Sequence, residues 1–283
     1  MQKSWSILFG VVLAASLGLF VVAPFVGWWL PRSICSYGPG IYLLFYIILG
    51  VTGFFFVLTE ALLVYNMWSF VAVPGRKSEY THGNHKLEMF WTAVPGVLLF
   101  LLALSQIPIW HHIKTSLPGE DVQVMEVSAR QFEWRVRYPG ASRMDDPKLV
   151  EDFAREAQKG ERHIDDVFAV NEIHVWKGAK VRVSLKTRDV LHSFFLPNIP
   201  IKQDAVPGKT ITVWFDANDS NYAYDPETNT WKEKEVWELA CAELCGWGHY
   251  KMRGKLYVHK DKDDFLRWLK HAADAQNQTT AGK

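Results

Sequence analysis

The sequence predicts two unlike halves: a membrane α-helical hairpin with an extra N-terminal helix, followed by an all-β domain. Three observations carry this. Nearly all the long apolar runs fall within about the first hundred of the 283 residues. The remainder breaks into short runs that alternate polar and apolar residues. Several of the 13 tryptophans, Trp28, Trp29, Trp68 and Trp110, stand where apolar sequence meets polar sequence, as in an interfacial aromatic belt. The net charge of +1 provides no global field for a nucleic-acid partner. Of the 3 cysteines, Cys35 stands alone and the other two share one short motif, so there is no disulfide framework. Arg32-Ser33-Ile34 before Cys35 does not resemble a lipoprotein acylation site.

Three apolar stretches approach or exceed the roughly 20 residues needed to cross a hydrocarbon core. Ile7 to Leu30 is uncharged, Ile41 to about Tyr65 holds only Glu60, and Met89 to about Trp110 is uncharged. Residues 1–36 are therefore a transmembrane helix or a signal peptide, and 37–115 form the helical hairpin. A signal's apolar core runs about 7–15 residues, so the length of the first stretch favours a retained helix. The loop between the second and third stretches carries Arg76, Lys77 and Lys86, against only Arg32 in the preceding one. The positive-inside bias puts that loop in the cytoplasm and everything after Trp110 outside. Glu60 reads as an acid that snorkels to the cytoplasmic face.

Residues 116–260 read as the β domain. Candidate strands are VQVMEVSA, FEWRVRY, EIHVW, KVRVSLKT, HSFFLP, TITVWFD, VWELACA and GKLYVHK. In KVRVSLKT, Val181, Val183 and Leu185 alternate with Arg182, Ser184 and Lys186, the pattern of a half-buried strand. Many short strands separated by turns predict an antiparallel sandwich or barrel. Two polar stretches, near 140–166 (partly helical) and 218–235, read as surface insertions. Residues 261–283 begin with a short amphipathic helix from Asp261 to about Ala275, with an acidic start, and end in a disordered tail.

The chemistry concentrates in CAELCGWGHYKM, residues 241–252. Cys241, Cys245, His249 and Met252 place two thiolates, an imidazole and a thioether close together. Soft ligands of this kind suit copper. A zinc site would need four closed Cys and His ligands and would leave Met252 without a purpose. One-copper sites use one Cys, two His and a weak Met. A second thiolate that can bridge metals makes a binuclear copper centre the natural elaboration. A second histidine is then required, and His192 in DVLHSFFLPN supplies it. His174 and His259 compete, but their strand-like alternation reads as that of ordinary surface histidines.

EMFWTAVPG opening the last helix, VLHSFFLPNIPIKQDAVPG and CAELCGWGHYKM together make the chain resemble subunit II of the haem–copper cytochrome c oxidases. The resemblance implies a cupredoxin-like Greek-key barrel holding a binuclear copper centre, CuA. Its implied ligands are His192, Cys241, Cys245, His249, Met252 and the backbone carbonyl of Glu243. The Glu243 carboxylate is implied to reach a Mg2+ shared with subunit I. Electrons would come from cytochrome c and leave for haem in subunit I, where O2 is reduced to water with proton pumping. The resemblance also implies a bacterial-type inner membrane, with the copper domain on the periplasmic side. Glu88, three residues before Trp91, matches a position at the mouth of a proton-uptake path; it also reads as a solvated acid at a helix end.

The chain departs from the family where electrons are accepted. Phe132 stands at the position of a receiving tryptophan. Trp134 and Trp247 are other aromatic candidates, each reading more simply as core. Asp189 and Asp204 suit the docking of a basic cytochrome, but Arg188 replaces an acid often found beside the former. An oxidase with a non-standard or fused cytochrome donor is the alternative, and no CxxCH gives this chain a covalent haem of its own. A quinol oxidase subunit would lack the copper ligands. A copper chaperone would lack the strand pattern. A nitrous oxide reductase would need a propeller domain for which 283 residues leave no room.

Overall fold

A computed structural model describes residues 2–77, 80, 82–118, 122–144 and 147–281. They form two compact units: Met1–Pro31 with Gly40–Trp110, and Arg32–Pro39 with His111–Lys283.

The first unit is built from α1 (Gln2–Val22), α2 (Gly38–Ser69) and α3 (His85–Lys114). All three are long and apolar enough to cross a membrane. α1 ends before the apolar run does: Pro24 lies in a single 3-10 turn, Ala23–Val26, and Gly27 follows in the left-handed region at φ 74°. The Ser6 hydroxyl donates to the Val64 carbonyl at 3.0 Å, a small polar link between α1 and α2 of a kind membrane helices use. Lys3 lies over the Trp68 ring at 4.6 Å. Asn84 caps α3 by accepting from the Leu87 N–H at 3.2 Å, and Glu88 follows in the first turn.

The second unit is β-rich. Its strands are β1 (Val122–Arg130), β2 (Glu133–Tyr138), β3 (Val167–Val170), β4 (Glu172–Trp176), β5 (Lys180–Thr187), β6 (His192–Leu196), β7 (Ile201–Ala205), β8 (Ile211–Asp216), β9 (Tyr222–Asp225), β10 (Thr230–Glu233), β11 (Trp237–Cys241) and β12 (Arg253–His259). One sheet runs β3-β2-β1-β5-β8; the other runs β10-β9-β12-β11-β6-β7, with β4 also on β12. Pairing is mixed rather than purely antiparallel, because β1 lies parallel to β5 and β4 parallel to β12. The core between the sheets takes Val127, Val136, Val183 and Phe215 from the first and Ile173, Phe194, Leu239 and Val258 from the second, all fully buried. This two-sheet unit is the expected cupredoxin-like β domain.

Both stretches read as insertions have structure of their own. The first holds α4 (Pro147–Lys159). It lies over a buried ion-pair network in which Arg137 donates to Glu126 and Asp166, each at 2.7 Å. The second folds as the β9–β10 hairpin, whose turn places Asn229 at φ 54°, a conformation Asn tolerates better than most residues. The C-terminal helix α5 (Lys262–Ala281) runs beyond Ala275 through the segment expected to be disordered. Residues 282–283 lie outside the described residues. Asp261 caps α5, accepting from the Asp264 N–H at 2.8 Å.

Burial of α5 against the second sheet overturns one expectation. His174 and His259 are not surface histidines but 1% and 0% exposed. His259 Nδ1 lies 3.0 Å from Asp264 Oδ2, and His259 Nε2 lies 3.1 Å from His174 Nδ1. The Asp264 carboxylate accepts, so His259 carries its proton on Nδ1 and takes a bond from His174 through Nε2. Trp268 of α5 stacks on His174 at 3.6 Å between ring centroids. Strand alternation could not anticipate this, because a helix covers the face that would otherwise be solvated.

Candidate metal centre

Three backbone segments bring the donors together. β6 begins at His192 and β11 ends at Cys241, paired so that Cys241 lies opposite Phe194. The Ala242 N–H donates to the Ser193 carbonyl at 2.9 Å, and the Cys241 N–H donates to the Met252 carbonyl at 3.1 Å. The loop between Cys241 and Met252 is thereby closed at both ends, and a 3-10 turn over His249–Lys251 aims His249 inward.

The two sulfurs form the middle of the cluster, Cys241 Sγ and Cys245 Sγ lying 3.9 Å apart. His192 Nδ1 is 3.9 Å and the Glu243 carbonyl 3.2 Å from Cys241 Sγ. His249 Nδ1 is 3.5 Å and Met252 Sδ 3.8 Å from Cys245 Sγ. All six donor groups expected from the sequence therefore meet in one place. His192, Cys241 and Cys245 by themselves satisfy the spacing of a metal site. Thiolates, imidazoles and a thioether fit copper chemically.

The electrostatics favour a thiolate here. Burial opposes ionisation of Cys241, but hydrogen bonding from His192 and from the neighbouring backbone outweighs it, and the thiol falls to about 6. Burial, and then the charge of Cys241 beside it, pushes Cys245 up to about 12. Without metal the pair thus holds one negative charge, and a cation would displace the second proton. His192 is raised: burial works against its charged form, but the hydrogen bonds to Cys241 and Asp189 prevail.

Two residues missed as part of the site complete it. Asp189, expected only as a docking acid, accepts from His192 Nε2 at 2.8 Å and from the Gln131 N–H at 2.7 Å. Gln131 donates from Nε2 to the Cys245 carbonyl at 2.5 Å. The spacing of Asp189, three residues before His192, was the available signal; Gln131 gave none.

The aromatic candidates separate clearly. Trp134 is fully buried core, its ring edge-on to Phe194 at 5.8 Å and to His192 at 6.3 Å. Trp247 is not core: it is 82% exposed. Phe132, at the tip of the β1–β2 hairpin, packs edge-on to Trp247 at 5.3 Å. Two glycines permit this contact. An added Cβ would come within 2.5 Å of the Phe132 ring at Gly248 and within 2.7 Å of Gln131 Nε2 at Gly246. Glu88 belongs to the other unit, on the first turn of α3 with His85 Nδ1 at 3.7 Å. Asp204 is exposed on β7, opposite Ser193.

Comparison with known proteins agrees with this geometry. The family model "Cytochrome C oxidase subunit II, periplasmic domain" matches residues 123–256, and "Cytochrome C oxidase subunit II, transmembrane domain" matches residues 39–109. The chain belongs to the cytochrome c oxidase subunit II family. Membership makes it a membrane-anchored subunit with a periplasmic cupredoxin-like domain, and copper binding is implied by the family. Similar proteins include the "Alternative cytochrome c oxidase subunit 2" of Bradyrhizobium diazoefficiens, 28% identical over 281 residues, 96% of this chain and 92% of that one. The cytochrome c oxidase subunit 2 of Alkalihalophilus pseudofirmus is 29% identical over 192 residues, 66% of this chain but only 45% of that longer protein. Among solved structures, the periplasmic domain of subunit II of cytochrome oxidase from Bradyrhizobium japonicum matches at 21% identity and a TM-score of 0.40, covering 56% of this chain and 98% of that one.

Proposed function

We propose that this chain is the electron-relay subunit of a cytochrome c oxidase in a bacterial inner membrane. It accepts electrons from cytochrome c at the outer domain and passes them to haem in subunit I, where O2 is reduced to water with proton pumping. The observation that carries the reading is the pair of sulfurs 3.9 Å apart, flanked by two imidazole nitrogens, a thioether and a carbonyl. Bound there, a copper pair would supply a one-electron acceptor and donor.

The protein's own part is to hold the donors still. Cys241 and Cys245 would supply the thiolate ligands, His192 is oriented by Asp189, and the loop is tied to Ser193 of β6 and closed between Cys241 and Met252. A cage this constrained moves little when its charge changes, which keeps electron transfer fast. Trp247 and Phe132 form the aromatic surface through which a donor reaches the cluster. The Glu243 carboxylate, half-buried and in no ion pair among the described residues, suits a Mg2+ shared with subunit I. Glu88 is assigned to proton uptake on the cytoplasmic side. Phe132 and Arg188, in place of a receiving tryptophan and an acid, favour a non-standard cytochrome as donor.

The test is spectroscopic. The full-length chain purified with its partner subunits should show a near-infrared band and the multi-line EPR hyperfine pattern of one electron shared by two copper nuclei. A Cys245→Ser variant that kept both signals would sink the assignment.

A further inference from the structure

The outer face of the five-stranded sheet is polar, and α4 covers only part of it. Along one row, Ser184, Glu126, Arg137 and Phe168 lie side by side on β5, β1, β2 and β3. α4 closes over this row: Phe153 stacks on the Arg137 guanidinium at 4.4 Å, and Lys186 reaches the Ala157 carbonyl at 3.3 Å. The next row, Lys186, Ser128, Arg135 and Val170, opens into a cleft of about 370 Å³ whose lining includes Glu126, Arg135, Arg137, Arg162, Phe168 and Arg188.

The charges of this cleft do not balance. Arg137 is neutralised by Glu126 and Asp166. Arg135 shares the single carboxylate of Glu133 with Arg130, at 2.6 and 2.7 Å. Arg162 and Arg188, both exposed, have no carboxylate partner among the described residues; Arg162 rests only against the Phe168 ring. Ser128 is 3% exposed and its hydroxyl has no hydrogen-bond partner among the described residues. Surplus guanidinium charge on an exposed face is a receptor for carboxylates.

The β1–β2 hairpin that lines this cleft carries Phe132 at its tip, against the copper loop. From Ser128 it is four residues along the hairpin to Phe132, roughly 13 Å at about 3.3 Å per residue. Phe132 touches Trp247, and Lys251 lies 5.9 Å from the same indole with no carboxylate partner among the described residues. Two acids lie near the hairpin tip, and both are committed: Asp189 to His192 and the Gln131 N–H, Glu133 to Arg130 and Arg135.

We propose that this cleft is the docking site for an electron donor whose own docking face is acidic. Donor carboxylates seat against Arg135, Arg162 and Arg188, and the donor's redox group comes to rest over Trp247 and Phe132. The polarity is the reverse of what a basic cytochrome would require. The inference rests on the reading of this chain as an electron acceptor and names the class of its partner.

The experiment uses the purified oxidase complex containing this chain, assayed with one acidic and one basic cytochrome c over a range of ionic strength. The acidic donor should give the higher kcat/KM at low salt, falling as salt rises, because steering between opposite charges is screened. An Arg162→Glu, Arg188→Glu double variant should lower kcat/KM for the acidic donor at least tenfold. Its copper spectrum and its reduction by a small neutral reductant should be unchanged. The neutral pair Arg162→Gln, Arg188→Gln should give a smaller loss in the same direction. Preference for the basic donor, or variants with unaltered salt dependence, would overturn the docking proposal while leaving the relay intact. Equal inhibition of both donors by inorganic phosphate, abolished in the variant, would assign the cleft to a small oxyanion and overturn it too. Absence of a copper spectrum in the unaltered complex would instead overturn the relay reading.

Discussion

Asp189 and His192 are joined by a 2.8 Å hydrogen bond that settles which imidazole nitrogen faces the sulfurs. The carboxylate accepts from Nε2, which holds Nδ1 toward Cys241, where it would offer its lone pair to a bound metal. Such outer partners fix ring orientation and raise ligand basicity. Asp189→Leu should therefore reduce copper affinity about 10–100-fold. Asp189→Asn, whose amide oxygen can still accept, should lose less. Loss of the negative charge should also make the site's midpoint potential more positive, which potentiometry would show. Equal copper affinity in Asp189→Leu and the unaltered chain would contradict this role.

Gly248 lets the copper loop lie flat against Phe132. Alanine there would put its Cβ 2.5 Å from the ring and force Phe132 away from Trp247. The overpacking should cost about 1–3 kcal/mol. Trp247→Leu removes the exposed indole and its edge contact with Phe132, while leaving the copper donors in place. It should slow electron acceptance from a cytochrome about tenfold or more while leaving the copper absorption unchanged. Stopped-flow reduction of each variant separates the two effects. An unaltered rate in Trp247→Leu would remove this residue from the path.

What the sequence disclosed follows from how locally each feature is encoded. The ligand loop was legible because four of its donors are side chains within twelve consecutive positions, and few other chemistries need that set. The membrane helices were legible because their signal is a run of composition. Features that depend on contacts between distant segments were not. The parallel pairing of β1 with β5 leaves no trace in either strand, and the polar row of Ser128 and Arg135 looks like any solvated face. His174 and His259 alternate like surface residues, and only α5 packing over them buries both. The β9–β10 hairpin was hidden by its many polar residues, although Tyr222, Tyr224 and Trp231 form its aromatic contacts.

That buried histidine pair makes the outer domain sensitive to acid. Burial lowers His174 well below its usual 6.5, and the neighbouring His259 adds to this. His259 is lowered too, by burial that outweighs its bond to Asp264. In the unfolded chain both groups take up protons near their usual value, whereas the folded chain keeps them neutral. The stability they confer is therefore complete above about pH 6.5 and declines as pH falls toward the depressed values. The decline should be about 1.4 kcal/mol per pH unit for each histidine. Tryptophan-fluorescence melts of the full chain between pH 7 and pH 5 should show a falling midpoint, and His174→Gln should lessen the slope. An identical slope in the variant would show that other groups set it.

The thiols make a prediction of their own for the metal-free chain. Cys241 falls to about 6 and Cys245 rises to about 12, so near neutral pH one thiolate faces one thiol at 3.9 Å. The thiolate is the nucleophile, so alkylation by iodoacetamide should modify Cys241 first, its rate rising as pH passes through about 6. Cys245 should stay protected, and so should Cys35, whose thiol is buried and pushed up by that burial. Mild oxidants should join Cys241 to Cys245 and abolish copper uptake until the bond is reduced, since a disulfide offers no thiolate to the metal. Peptide mass spectrometry of alkylated chain across pH, with and without copper, reads both effects. Loading with copper should suppress labelling of Cys241 near neutral pH. Preferential labelling of Cys245 would invert the order in which the two sulfurs lose their protons.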